Sequence, residues 1–156
     1  MRHGLINRKQ KMANNSSFES RTGKLSCTPE VFFNLITDIR NLEQFVPAGR
    51  ISNWKATPDS CSFNVPPLGG ANVRLATKVA NSLVEYSGEV MKSTNFNLRV
   101  NISVNEKNLA EVRLLFTADL NPVLRIMSSG PIEKLLEILI VEMEKFDKWD
   151  TNVKER

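Results

Sequence analysis

The middle of the chain alternates apolar and polar residues with period two. Phe96, Leu98, Val100, Ile102 and Val104 are interleaved with Asn97, Arg99, Asn101, Ser103 and Asn105, the mark of a strand with one face in the core and the other in water. The same period holds across residues 50–120. Residues 51–57 form one strand, turned by Pro58-Asp59-Ser60. Cys61, Phe63 and Val65 share a face until Pro66-Pro67 and Leu68-Gly69-Gly70 interrupt. Val73, Leu75, Thr77 and Val79 share the next, and Asn81-Ser82 turns the chain. Val84, Tyr86, Gly88 and Val90 stand opposite Glu85, Ser87 and Glu89. Ala110, Val112, Leu114, Phe116 and Ala118 follow the Lys107-Asn108 turn. Residues 18–26 read as a first strand with weaker alternation.

Helical spacing appears on either side of this block. Thr28-Pro29-Glu30 combines a capping hydroxyl, a proline suited to the first helical position and an acid suited to the helix dipole. Val31, Phe32, Leu35 and Ile36 then recur at helical spacing. Asp38 caps a second short helix carrying Ile39, Leu42, Phe45 and Val46, which Pro47 closes. Asn121-Pro122 repeats the cap-and-proline signature and opens a pattern running to Trp149. Gly130-Pro131 falls inside it, which predicts a short lead-in helix, a kink and a main helix from Pro131. Ile132, Leu135, Leu136, Leu139, Met143 and Phe146 form its packing stripe, widened by Ile138, Ile140 and Val141.

No helices separate the later strands, so a parallel α/β fold is excluded. A twisted sheet leaves one apolar face to be covered, and the terminal helix is the one element long enough, since ~20 residues of helix span about 30 Å. The prediction is an α+β domain over residues 16–150, a curved antiparallel sheet of about seven strands around a long C-terminal helix. Two short helices follow its first strand. A disordered arm, 1–15, and a short tail, 151–156, flank it.

The segments TPEVFFNLITDIRNLEQFVP and LNPVLRIMSSGPIEKLLEILIVEMEKF in this order resemble the helix-grip superfamily of START lipid-transfer domains, birch-pollen-type allergens and bacterial polyketide-cyclase-like proteins. Thr28-Pro29, the Asp38 to Phe45 stretch and Asn121-Pro122 carry the resemblance, with Phe45 where many relatives place tryptophan. It implies a cavity between helix and sheet that holds a lipid, a polyketide or another hydrophobic ligand. The family's catalytic motifs are not matched, so the implication is binding more than catalysis.

Composition and charge narrow the function. With 41% hydrophobic and 24% charged residues the 156-residue chain is an ordinary globular one. The net charge of +4 lies in the first eleven residues: setting aside Arg2, Arg8, Lys9 and Lys11 leaves 17 bases against 17 acids. A balanced body argues against nucleic acid. No apolar run is long enough for a membrane span. The first fifteen residues hold only Leu5 and Ile6 as neighbouring aliphatics, so a secretory signal is not expected and a cytoplasmic location is. In that compartment the Asn-x-Ser triplets at Asn14, Asn15 and Asn101 carry no glycan, and Cys27 and Cys61 are reduced thiols. Met12 is a second candidate initiator.

Chemistry is sparse. His3 is the only histidine, which removes Ser-His-Asp and Cys-His arrangements and histidine-rich metal sites. Gly69-Gly70 lacks the spacing of a phosphate cradle. Glu85 and Glu89 share the polar parity of their strand, as do Arg74, Arg99 and Arg113 on theirs, which predicts cross-strand ion pairs on the outer face. Neither a metal nor another cofactor is expected.

The leading expectation is a carrier of a small hydrophobic molecule. Its cavity would be lined by Phe63, Val65, Leu75, Leu98 and Phe116 from the sheet and by Leu136, Leu139, Ile140 and Met143 from the helix. These residue types suit a solid core equally well. The hydroxyls of Thr77 and Tyr86 on the same parity favour a lined pocket, where a few polar groups orient a ligand. The short helices and the turn at residues 68–71 would control access. Two alternatives stand beside this one. The flank at Ile138 and Val141 could form a dimerisation or partner surface, and Asp119 could serve a cyclase- or dehydratase-like enzyme.

Overall fold

The alternation becomes an eight-stranded antiparallel sheet in the computed structural model, which describes residues 15–149 except 48, 67, 68, 92 and 93. Apart from the backbone of residue 15, the arm expected over 1–15 and the tail 151–156 lie outside the described residues, as does Leu68 of the 68–71 turn. The strands are β1 (Asn15–Glu19), β2 (Gly23–Lys24), β3 (Ser52–Thr57), β4 (Ser60–Val65), β5 (Gly69–Val79), β6 (Leu83–Val90), β7 (Thr94–Val104) and β8 (Ala110–Asp119). They are ordered β1-β8-β7-β6-β5-β4-β3, with β2 also pairing β8. The expected first strand is thus two short ones, because the chain leaves the ladder between Glu19 and Gly23 and rejoins the same partner strand. Gly69 and Gly70, expected in a turn, extend β5 and pair with Val65 and Asn64.

Two short helical elements carry the chain from the β1/β2 side of the sheet to the opposite edge at β3. Helix α1 (Pro29–Ile36) is capped by Thr28, whose Oγ1 accepts from the Val31 amide at 3.3 Å. Asp38 caps the next turn, which is a 3₁₀ helix over Ile39–Phe45. Buried Asn41 donates to the Leu35 carbonyl at 2.9 Å and so satisfies the end of α1. Helix α2 (Pro122–Lys145) is capped by Asn121, whose Oδ1 accepts from the Leu124 amide at 2.8 Å.

Pro131 lies inside α2 without dividing it, so the expected lead-in helix and main helix are one element. A proline deprives the carbonyl four residues earlier of its donor. That carbonyl belongs to Met127, which is 67% exposed, so water can take the donor's place. After α2 the chain folds under α1. Phe146 and Trp149 meet edge-on at 4.5 Å, Phe45 packs against Phe146 at 5.3 Å, and Phe32 meets Trp149 at 5.8 Å. The Trp149 indole N–H donates to Ser26 Oγ at 3.1 Å.

Candidate ligand-binding hollow

Register aligns the inner side chains of the sheet in rows. Leu75, Tyr86, Leu98 and Phe116 are direct neighbours across β5–β8, and Phe18 of β1 extends the row beyond Phe116. The adjacent row of Val84, Val100 and Leu114 is sealed, none of its members more than 2% exposed. Leu75, Leu98 and Phe116 are only half-buried, and so are Trp54, Phe63, Val73 and Phe96. Large apolar side chains in mid-sheet would be dry under a close-packed lid, so this part of the concave face is not sealed.

The placement of α2 explains the difference. Its buried residues, Leu136, Ile140 and Met143, lie in its second half. There Ile140 packs on Gly23, where an added Cβ would come within 3.0 Å of the Ile140 side chain. Arg21 fixes the same stretch, with its guanidinium 2.8 Å from Glu144 and 3.1 Å from Glu137, while the Lys24 amide donates to Glu144 at 3.0 Å. These hydrogen bonds and the adjacent positive charge hold the Glu144 carboxyl below its ordinary range, against a smaller opposing effect of burial. The helix is therefore pinned along β1 and β2 by its second half, while in its first half Leu124 and Ile132 reach the core and are only half-buried. Val123, Ile126 and Met127 there are 66%, 80% and 67% exposed.

The residues expected to line a cavity divide into three groups. Phe63, Val65, Leu75, Leu98, Phe116 and Leu139 are half-buried apolar side chains. Leu136, Ile140, Met143 and Tyr86 are buried in the core. Thr77 is exposed, contrary to its expected place beside Leu75. A bulge between Leu75 and Thr77 shifts the register by one, so Thr77 pairs with Glu85 on the outer face while Leu75 pairs with Tyr86 on the inner one. The Tyr86 hydroxyl donates to the Ile36 carbonyl at 2.6 Å, which ties it to the end of α1.

An open depression of about 420 Å³ lies between the middle of α2 and the segment leading into β3. Arg50, Gly130, Pro131, Lys134, Leu135 and Ile138 line it. Sequence reasoning missed Arg50 and Lys134, since eighty-four residues separate them and each alone reads as a solvated surface charge. It also missed Ser16, which faces inward beside Ala118. Ser16 is 2% exposed, and its hydroxyl has no hydrogen-bond partner among the described residues. Ile138 and Val141, the expected partner flank, are half-buried, so the exposed apolar surface of α2 lies earlier, around Ile126.

The carboxylates lie outside this face. Glu89 and Asp119 are exposed on the outer side, and Glu85 pairs with Arg99 at 3.2 Å. Arg113 reaches Glu19 at 3.5 Å rather than a neighbour in β6. Cys27 and Cys61 are both buried thiols that are not joined in a disulfide. Burial pushes the Cys61 thiol up to about 11. The Tyr86 phenol is also raised, by burial first and by the adjacent Cys61 second. Among the described residues no cluster of His, Cys, Asp or Glu could hold a metal ion, and no helix is long and apolar enough to cross a membrane.

No family model and no curated protein matches the sequence. Solved structures do match the fold. A protein from Chromobacterium violaceum superposes with a TM-score of 0.56 at 12% identity, over 85% of this chain and 99% of its own. XoxI from Bacillus cereus gives 0.62 at 12% identity, over 84% and 93%. A norcoclaurine synthase point mutant from Thalictrum flavum, in complex with a transition-state analogue, gives 0.61 at 5% identity, over 82% and 95%. With the strand order and the long terminal helix, these likenesses show that the chain has the α+β helix-grip fold.

Proposed function

We propose that the protein binds a small hydrophobic molecule between the concave face of its sheet and α2. The observation that carries this reading is the half-buried state of Leu75, Leu98 and Phe116, which flank the buried Tyr86 in the middle of the sheet, next to a fully sealed row of the same face. An apolar ligand lying there would remove the remaining surface from water, at about 25 cal/mol per Å². Phe63, Val65 and Leu139 extend the lining, and the buried Leu136, Ile140 and Met143 support it from the core behind. The depression beside Arg50 serves as its mouth. The norcoclaurine synthase structure holds a transition-state analogue, so a protein of similar fold accommodates a small organic molecule.

The test is retention and stabilisation. Native mass spectrometry of protein purified without detergent should show an apolar adduct. In addition, a panel of fatty alcohols, sterols and polycyclic aromatics should contain members that raise Tm, because a ligand of the folded state stabilises it by mass action. Bare protein in the spectrometer and an unmoved Tm across the panel would overturn the reading.

A further inference from the structure

The mouth of the hollow has an uneven charge pattern. Its apolar wall is Pro131, Leu135 and Ile138, and among the described residues its charged lining consists of two cations, Arg50 and Lys134. Arg21, Arg40, Arg99 and Arg113 each hold a carboxylate within the chain. The Arg50 and Lys134 side chains have no such partner among the described residues. The nearest acids on α2 do not supply one. Glu137 is held by Arg21 at 3.1 Å, and Glu133 is the immediate neighbour of Lys134, a spacing that points the two side chains to different sides of a helix. Arg50 comes from the segment before β3 and Lys134 from α2, so the two cations reach one opening from opposite walls.

We propose that the ligand is an amphiphilic anion, a long-chain or polycyclic carboxylate. Its charged group sits at the mouth between Arg50 and Lys134, and its apolar body runs inward over the half-buried row. This rests on the ligand-binding reading above and adds the class of head group. Two cations left without internal partners beside an apolar wall complement such a molecule. A planar guanidinium suits a carboxylate fork, and an ammonium adds a second point of attraction. A neutral ligand of the same shape would leave both cations unused.

Calorimetry with matched pairs tests it, using dodecanoate against dodecanol and pyrenebutyrate against pyrenebutanol on the full chain. Each carboxylate should bind about tenfold tighter than its alcohol. The difference should shrink as salt is raised to about 0.5 M. Arg50→Gln and Lys134→Gln should each narrow it, and the double variant should bring carboxylate and alcohol within about twofold of each other. Both positions are exposed, so the substitutions leave the core intact, which circular dichroism checks. Equal affinity for acid and alcohol in the native protein would overturn the head-group assignment and leave the hollow standing. No binding of either pair would overturn both readings. Adsorption to phosphatidylglycerol vesicles without uptake of the monomeric acids would also overturn it, since the cations would then serve a membrane surface.

Discussion

The hydroxyl of Tyr86, in the centre of the sheet, donates a 2.6 Å hydrogen bond to the carbonyl of Ile36, the last residue of α1. The final carbonyls of a helix have no partner within it, and Tyr86 reaches across fifty residues to satisfy this one. Tyr86→Phe keeps the ring and removes the donor, leaving a buried acceptor unpaired, which costs about 1–3 kcal/mol. Urea unfolding should show that loss with an unchanged slope. A midpoint equal to that of the native protein would mean that water satisfies Ile36 instead.

Alkaline stability should report on the same region. Burial raises the Cys61 thiol from 9.0 to about 11 and raises Tyr86 as well. Both acids keep their protons to higher pH when folded than when unfolded, so above about pH 9 the folded state binds more protons and stability falls as pH rises. The contribution of Cys61 is intact below about 9 and is lost progressively as pH climbs through about 11. Urea midpoints at about pH 8 and about pH 10.5 should therefore fall further apart in the native protein than in Cys61→Ala. An equal fall in both would show that the thiol is not the group responsible.

Gly88 is a second sharp point in the sheet. A Cβ there would fall against the carbonyl oxygen of Asn72 and within 2.8 Å of Cζ of Phe96, its cross-strand partner. The phenyl ring can turn, but the Asn72 backbone is fixed in the ladder between β5 and β6. Gly88→Ala should therefore destabilise by about 2 kcal/mol or more, where the usual small-to-large change costs about 1–3. A thermal melt within a degree or two of the native protein would contradict the close approach.

Local signals in the chain announced most of this architecture. Thr28-Pro29 and Asn121-Pro122 capped α1 and α2 as read, and alternation from Phe96 to Ile102 gave β7 its inner and outer faces, though Val104 at its end is exposed. The misplacement of Thr77 has a plain cause. The letters Leu75, Ala76, Thr77 and Lys78 alternate through the bulge as though it were absent, since a register shift belongs to the pairing of two strands and not to one strand's sequence. Pro131 misled for the opposite reason. It is a strong local breaker whose effect depends on whether the orphaned Met127 carbonyl can reach water. The convergence of Arg50 and Lys134 was invisible because it arises only when α2 is pinned along β1 and β2.

Leu98 and Val100 stand two residues apart on the same face of β7 and should answer a volume increase in opposite ways. Val100 is 2% exposed in the sealed row between Val84 and Leu114, so Val100→Phe must displace packed neighbours and should destabilise by about 1–3 kcal/mol. Leu98 is half-buried in the adjacent row. If a hollow lies over it, the larger ring of Leu98→Trp fills empty space, and stability should stay within about 1 kcal/mol of the native protein. The same substitution should abolish the ligand-induced rise in Tm, since the side chain then occupies the guest's volume. Equal penalties at both positions would mean that the interior over Leu98 is as tightly filled as that over Val100, with no room for a guest.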